Sequence, residues 1–393
     1  MALAQYVGLL EPGQHASDHR VDVLRQVCSK SRKKFVDGGV MSTRDSAAKR
    51  PNRLRLRSRL EGNCWSMLST VAVMVFTATA IALATGSSSA LAQSWPSQPI
   101  KFVVGYPPGG GADISGRLFA EHMAKGLGQA IVVENRSGAG GRIGAASVVR
   151  AEPNGYTLYV AAISEISIAP ATVKDLAYDP NKDLKPVVIF TKTTQILVAS
   201  PAFPPNNTQE LVAYVKANPE KVSYSSFGTN TLNHINGERF KVALGIPDVR
   251  HVPYKGSGPS LTDIMGGHVQ YTFDSPSTTF DLIQSGKLKA IGVAGPARLP
   301  AAPSIPTLTE AGLPNFYVSS WIGLLAPAGT PDAIIDRLNK EAQAVLKLPE
   351  VEEMLRKLVT EPGGGTPEEF GSRIREEIAD YKQVAAKIGI VPQ

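Results

Sequence analysis

The sequence predicts an α/β protein built on mostly parallel sheets with helices on both faces. Three observations carry that expectation. From residue 98 onward, short β-rich runs alternate with helical stretches, the pattern of strands joined by crossover helices. Phe119, Met123 and Leu127 recur every fourth position, as one buried helix face requires. The chain has 393 residues, 43% hydrophobic and 19% charged, enough for a substantial core and two ordinary domains.

The leading segment, residues 1–92, stands apart. It carries 13 Lys and Arg against 6 Asp and Glu, while the other 301 residues carry 28 of each. The net charge of +7 therefore belongs to the leader, and the neutral body gives no electrostatic footprint for nucleic acid. Both cysteines, Cys28 and Cys64, also lie there, and a thiol-free body suits an oxidising compartment. Basic KRPNRLRLRSR (49–59), apolar MLSTVAVMVFTATAIALA (67–84) and the tripeptide Ala90-Leu91-Ala92 are the three parts of a secretory signal peptide. Cleavage is expected after Ala92, with an uncleaved anchor as the alternative. Residues 1 to about 40 precede any ordinary signal, so translation is expected to start at Met41 or later.

In the body, IKFVVGY (100–106), AIVVEN (130–135), YTLYVAA (156–162) and KPVVIF (185–190) read as strands. A second series begins near 207. Asn207 with Glu210 three positions on is a helix start, KVSYSSF a strand, and LNHINGERFKVAL a helix. VRHVPY, SLTDIMGG, VQYTFD, PSTTFDLIQSG and LKAIGVAG then alternate strand and helix. The C-terminal part reads as helical: Thr330-Pro331 opens one helix, and Thr366 with Glu369 forms a capping box for the last, whose stripe is Phe370, Ile374, Ile378 and Tyr381.

GYPPGGGADISGR (105–117) follows a strand and opens a helix, a setting in which backbone N–H groups and the helix dipole collect an anion. Neither nucleotide fingerprint fits it. A dinucleotide pattern from Gly109 meets Ile114 where its third glycine belongs, and a P-loop from Gly111 meets Arg117 and Leu118 in place of Lys and Ser or Thr. In the second loop, RSGAGGRIGA (136–145), the third glycine position is Ile143. A tight turn with no ligand is the plain alternative for both. No elbow serine, zinc-protease motif or metal-ligand pair occurs, so neither catalytic residues nor a metal or other cofactor is expected. Of the body's histidines, His234 is singled out because it follows SSFGTNTLN, whose hydroxyls and amides can hold an anion. Asp274, at a strand's carboxyl end, either contacts a ligand donor or caps the next helix. Lys255, after Tyr254, is the one cation placed near a cleft, and solvated surface is the commoner fate of a lone Lys.

The ordered set YPPGGGAD, VVENRSGAGGRIGA, NGYTL, YDPNKDLKPV, HVPYKGSGPSLTDIMGGHVQ, FDSPS, PTLTEAGLP, WIGLLAPAGTP and ADYKQVAAKIGI resembles the Bug family, periplasmic solute-binding proteins of tripartite tricarboxylate transporters. The resemblance runs from about 96 to 390. It implies a type II, Venus-flytrap binding protein of two lobes, each a mixed, mostly parallel sheet flanked by helices. Lobe 1 is then 94–195 plus 317–393 and lobe 2 is 196–316. It also implies capture of a small organic carboxylate, delivery to membrane permease subunits, and a monomer without enzymatic activity. By motif position the ligand contacts are Tyr106, Gly110, Gly111 and Asp113, facing Ser226, Gly228, Asn230, Thr231, Tyr254 and Asp274. One stretch departs from the pattern. Many relatives show a run like GTSGTH where this chain has AAISEIS, which puts Ile163, Ser164, Glu165 and Ile166 at positions that are commonly small or polar. If that loop lines the pocket, Glu165 disfavours a second carboxylate beside it, and otherwise it faces solvent. An exported enzyme on a small acid and a partner of a two-component sensor are the competing readings.

Overall fold

The computed structural model describes residues 95–246 and 249–392. The leader, its cleavage after Ala92 and the start at Met41 lie outside the described residues. Among the described residues no helix is long and apolar enough to cross a membrane.

The chain first lays down β1 (Ile100–Val104), α1 (Gly111–Leu127), β2 (Ile131–Asn135), α2 (Arg142–Val149), β3 (Thr157–Ala162) and β4 (Leu184–Thr194). It then builds a second sheet from β5 (Ile196–Ala199), α3 (Thr208–Ala217), β6 (Ser223–Ser226), α4 (Leu232–Leu244), β7 (Arg250–Pro253), α5 (Ser257–Met265), β8 (Tyr271–Asp274), α6 (Pro276–Gln284) and β9 (Lys289–Val293). It returns through β10 (Ser319–Pro327), α7 (Asp332–Val345), α8 (Pro349–Lys357), β11 (Glu361–Gly364) and α9 (Pro367–Lys387). The six-stranded sheet has the order β11-β4-β10-β3-β1-β2 and the five-stranded sheet β7-β6-β8-β5-β9.

Both sheets are mixed. The strand–helix alternation legible in the sequence supplies the parallel pairs, β1 with β2 and β3, and β6 with β7 and β8. Antiparallel pairs come from β4, β5, β10 and β11, of which only β4 carries a clear strand signal. The C-terminal part is thus not purely helical. β10 is an apolar run that periodicity alone does not separate from a buried helix, and β11 reads Glu-Pro-Gly-Gly, a composition that argues against a strand.

The sheets are joined where the chain crosses between them, and the two crossings lie side by side. Gln195 is the single residue between β4 and β5, and its carbonyl accepts the Ala294 N–H at 2.8 Å. Thr194 Oγ1 donates towards Ala294 O (2.7 Å), just after β9, and Val318 O (3.0 Å), just before β10, the two ends of the returning connection.

One face of the first sheet packs α1, α7 and α8 around Phe102, Phe119 and Phe190, with Phe119 stacked on Phe190 at 4.0 Å between ring centres. The other face meets α9, where Phe370 packs edge-on against Trp321 at 4.9 Å. Trp321 Nε1 donates to Glu377 Oε2 at 2.9 Å, which satisfies the indole inside the core.

The start of α9 bears out the capping box. Thr366 Oγ1 accepts the Glu369 N–H, and Glu369 Oε2 accepts the Thr366 N–H. Asn207 Oδ1 likewise accepts the Glu210 N–H at the start of α3. Replacing Thr366→Ala removes an acceptor from the unpaired donors of the helix start and is expected to lower stability by about 1 kcal/mol, read as a lower denaturant midpoint at unchanged slope.

Candidate functional site

A cavity of about 700 Å³, including its open mouth, lies between the two sheets. Helix starts dominate its walls. Gly111 and Ala112 open α1, Leu232 and Asn233 open α4, Ser257 opens α5, and Ser275 and Ser277 bracket the start of α6. Each helix start leaves N–H groups without an intrahelical acceptor and carries about half a positive charge. In α1 the first backbone donor to find a helical acceptor is Ile114, which bonds Gly110 O at 2.9 Å. Parallel βα units put helix starts at the carboxyl ends of strands, so two facing sheets aim several at one gap. No Lys, Arg or His lines the cavity among the described residues.

The one ionisable carboxyl of the lining is Asp274, 1% exposed at the end of β8. Its Oδ2 accepts from Ser257 Oγ at 2.5 Å, and its Oδ1 accepts from Ser275 N (2.6 Å) and Thr278 Oγ1 (3.0 Å). Burial pushes its pKa up to about 6 against these hydrogen bonds. The capping position of α6 itself belongs to Ser275, not Asp274.

Of the residues expected to meet a ligand, Tyr106, Gly110, Gly111, Ser164 and Asp274 line the cavity. The others have different work. Asp113 turns back into its own loop, where it accepts from Gly109 N (2.9 Å), Arg117 Nε (3.0 Å) and Asn135 Nδ2 (2.9 Å). Burial opposes its charge, but Arg117, Gly109 and Asn135 outweigh it and hold the carboxyl below its ordinary range. Asp113 therefore fixes the glycine loop rather than touching the cavity.

In SSFGTNTLNH the expected Ser226, Gly228, Asn230 and Thr231 hold the turn itself. Ser226 Oγ bonds His251 Nε2 at 2.6 Å, and Thr231 Oγ1 donates to Gly228 O at 2.7 Å. Asn230, in the left-handed region at φ 65°, sends Nδ2 across to Thr172 O at 3.1 Å, outside the second sheet's segment. His234 Nδ1 accepts the Asn230 N–H. The loop instead gives the cavity Phe227, Leu232 and Asn233. Tyr254 points away, its hydroxyl bonded to Asp263 Oδ2 on α5, and Lys255 is not part of the lining.

Glu165 is neither in the pocket nor in solvent. Residues Ser164–Ile168 form a π-type turn, and Glu165, 0% exposed, points beneath the cavity floor. Its Oε2 accepts from Tyr106 OH (2.8 Å), and its Oε1 accepts from Tyr159 OH (2.9 Å) and Ala162 N (2.7 Å). The side chain packs against Gly141, where a Cβ would lie 2.8 Å from the carboxyl carbon and φ is +91°. The second glycine loop thus seats Glu165, and Tyr106 reaches it from the first loop. Ile163 does line the cavity, whereas Ile166 is core.

The sequence reading missed the wall made by Thr191, Thr193 and Gln195, which alternate on one face at the end of β4, and by Ser320 and Ile322 on β10. The alternation on β4 is visible in the sequence. Its facing partner is not, because β10 gave no strand signal.

Two facing sheets joined by paired crossings, with helix starts converging on the gap, define a two-lobed solute-binding protein. The chain belongs to the family described as the tripartite tricarboxylate transporter family receptor, whose pattern matches residues 116–390. It is 33% identical over 313 residues to a UPF0065 protein of Bordetella pertussis, covering 80% of this chain and 96% of that one. Its fold is similar to the periplasmic binding protein BugD (TM-score 0.74, 34% identity, 76% of this chain and 100% of that one). It is also similar to MatC of Rhodopseudomonas palustris with bound malate (TM-score 0.71, 33% identity, 74% and 99%).

The buried carboxyl under the floor has a pH signature. Burial raises Glu165 from its ordinary 4.5 to about 7, so folding takes up a proton. Its contribution is full below pH 4.5, is lost as pH rises towards 7, and is level above. In Glu165→Gln that decline should vanish, and it appears as the difference between parent and variant. The terms both proteins share cancel in that comparison: the loss from Asp274 between its ordinary 3.8 and about 6, and the opposing gain from His251, which burial holds down at about 3 and which adds stability as pH rises to its ordinary 6.5. Urea midpoints at pH 5, 6 and 7.5 check this, and parallel pH profiles for variant and parent would refute it.

Proposed function

We propose that this chain is a periplasmic receptor that binds a small organic carboxylate in the cavity between its lobes and hands it to the membrane permease of a tripartite transporter. The observation that carries the reading is the convergence of four helix starts on a cavity without a cationic side chain. Backbone dipoles suit an anion that must be held firmly and then released, because no fixed countercharge has to be separated on opening. Malate in the similar MatC agrees with that chemistry.

In this reading lobe 1 is 94–195 plus 317–393, lobe 2 is 196–316, and the Gln195 crossing is the hinge. Tyr106, Gly110, Gly111 and Ser164 receive the carboxylate from one side, with Asp274 and the α5 and α6 starts opposite. The receptor acts as a monomer, without cofactor or catalysis, after export and cleavage behind Ala92. Lobe closure is stabilised by Leu232 N–H to Ser164 Oγ (3.1 Å) and by Asn230 to Thr172.

A thermal-shift screen of mono-, di- and tricarboxylates tests the reading, since a ligand at about 100 times its Kd adds about 2.7 kcal/mol. The sharper test is Gly111→Pro. The first helical position accepts proline, and Gly110 already has the extended backbone that must precede it (φ −80°, ψ 164°). The variant keeps α1 but removes one N–H from the seat. Affinity for any acid that binds should fall about 10- to 100-fold, the worth of one hydrogen bond to a charged group, with an unchanged melting temperature in buffer. Full affinity in this variant would move the anion away from α1.

A further inference from the structure

Two imidazoles hold the turn that carries Phe227 and Leu232 to the cavity. His234, on the first turn of α4, and His251, on β7, lie against each other with ring centres 4.3 Å apart. The Asn230 N–H points at His234 Nδ1 from 3.2 Å. A backbone N–H can only donate, so Nδ1 must carry a lone pair, and the ring is neutral with its proton on Nε2. His251 is tied to the same turn. Its Nε2 bonds Ser226 Oγ at 2.6 Å, and Ser226 Oγ also accepts the Gly228 N–H at 3.2 Å.

The His234 bond sets the position of Asn230. Asn230 stands in the left-handed region at φ 65°, and from there its Nδ2 reaches Thr172 O, on the side of the six-stranded sheet, at 3.1 Å. Two residues on, the Leu232 N–H reaches Ser164 Oγ at 3.1 Å. These two contacts across the gap spring from one turn, and His234 Nδ1 is an acceptor that braces it from within.

The surroundings keep the ring neutral. The start of α4 carries about half a positive charge, which disfavours a cation on its first turn. The ionisable groups acting on the two rings come from the segment of the five-stranded sheet: Glu238 and Lys241 on α4, and His234 itself on His251. Glu238 Oε1 lies 4.0 Å from His234 Nε2 and favours the cation, but that carboxylate is shared with Lys241 Nζ (2.9 Å) and with the Tyr224 hydroxyl. Tyr224, on β6, stacks on His251 at 4.9 Å, and Tyr271, on β8, stacks on Tyr224 at 5.9 Å. Burial lowers His234 from its ordinary 6.5 against the pull of Glu238, and burial with His234 beside it holds His251 at about 3.

We propose that His234 is a proton-operated latch on lobe closure: a proton on Nδ1 sets two N–H donors against each other, loosens the turn, and undoes its bonds to Thr172 and Ser164. The inference rests on the carboxylate-receptor reading above and adds a condition under which the ligand is let go. By reciprocity a closed receptor resists the proton and a protonated one resists closure, so acid favours the open form. The sign is opposite to that of Glu165 and Asp274, whose carboxyls become neutral in acid and repel a bound anion less.

The test compares the parent with His234→Asn, because Asn Oδ1 replaces Nδ1 as an acceptor and does not titrate. The exported chain is titrated calorimetrically at pH 7.5, 6.5 and 5.5 with malate, the acid bound in the similar MatC, or with the best acid of the thermal-shift screen where malate does not bind. The ratio of parent to variant Kd cancels the titration of the ligand, Glu165 and Asp274, which both proteins share. It should be near 1 at pH 7.5 and rise to about five- to tenfold at pH 5.5, the range for an imidazole that titrates near 6.5 when open and is held neutral when closed. A flat ratio overturns the latch. So does tighter binding by the parent in acid, the mark of simple attraction between an imidazolium and the anion. In an Asn230→Gly background, where glycine keeps the φ but Thr172 loses its partner, His234→Asn should change the pH profile less, and an undiminished change overturns the route through Asn230. If no acid binds the parent, the carboxylate reading falls while the latch is decided by the ring-nitrogen resonances of labelled His234 in the ligand-free protein. An Nε2–H ring that stays neutral below its ordinary 6.5 supports it, and a ring that titrates at 6.5 with Nδ1 free overturns it.

Discussion

An anion brought out of water has to find compensating charge, and in this molecule the cavity offers none on a side chain. The compensation is backbone: helix starts from both sheets, each contributing N–H groups that no helical carbonyl can take. Much of the remaining architecture follows from holding those starts in place. The first glycine loop must bring α1 to the gap without a side chain in the way, and Asp113 pins that loop from inside through Gly109, Arg117 and Asn135. Ser257, Ser275 and Ser277 surround the starts of α5 and α6 and keep that wall polar, and the one carboxyl there, Asp274, is occupied by donors from Ser257, Ser275 and Thr278. A lysine in the same wall would bind an anion more tightly, and a transport receptor must also let go.

The same economy of charge explains Glu165. A carboxylate beneath an anion seat should repel the guest, yet it accepts hydrogen bonds from two tyrosines and one amide, and burial draws it towards the neutral form. Its function is mechanical. Tyr106 comes from the first glycine loop, Tyr159 from β3, and Gly141, whose lack of a side chain admits the carboxyl, from the second loop. One buried group thus ties three segments of the cavity floor together. That accounts for the second glycine loop, which looks like an anion cradle but serves as a socket.

How much of this the sequence revealed depended on the range of the interaction. Local chemistry was legible: the helix caps at Asn207 and Thr366, the helix faces of α1 and α9, and the strand–loop–helix setting of the first glycine loop are each written within a few residues. The expected contacts at Tyr106, Gly110, Gly111, Ser164 and Asp274 sit at element ends that face the gap, so their place followed from the alternation itself. Asp113 and Glu165 misled because a carboxylate in a loop reads as either ligand or solvent. Here both are satisfied by distant partners, Asn135 lying 22 residues from Asp113 and Tyr106 lying 59 residues from Glu165. Ser226, Asn230 and Thr231 misled for a related reason, since a loop rich in hydroxyls and amides can consume its own donors. β10 and β11 were silent because pairing with β4, a tertiary event, decides their conformation.

The crossing at Gln195 joins these two themes. It is where the chain passes between the sheets, and its carbonyl and the neighbouring Thr194 hydroxyl both bond Ala294, where the chain starts back. It also lines the cavity. Asn236 bonds its side chain to α4, whose first residue reaches across to Ser164. A solute that meets donors from both sheets favours the arrangement in which they close on it, because those contacts are complete only when the two sheets stand at one angle.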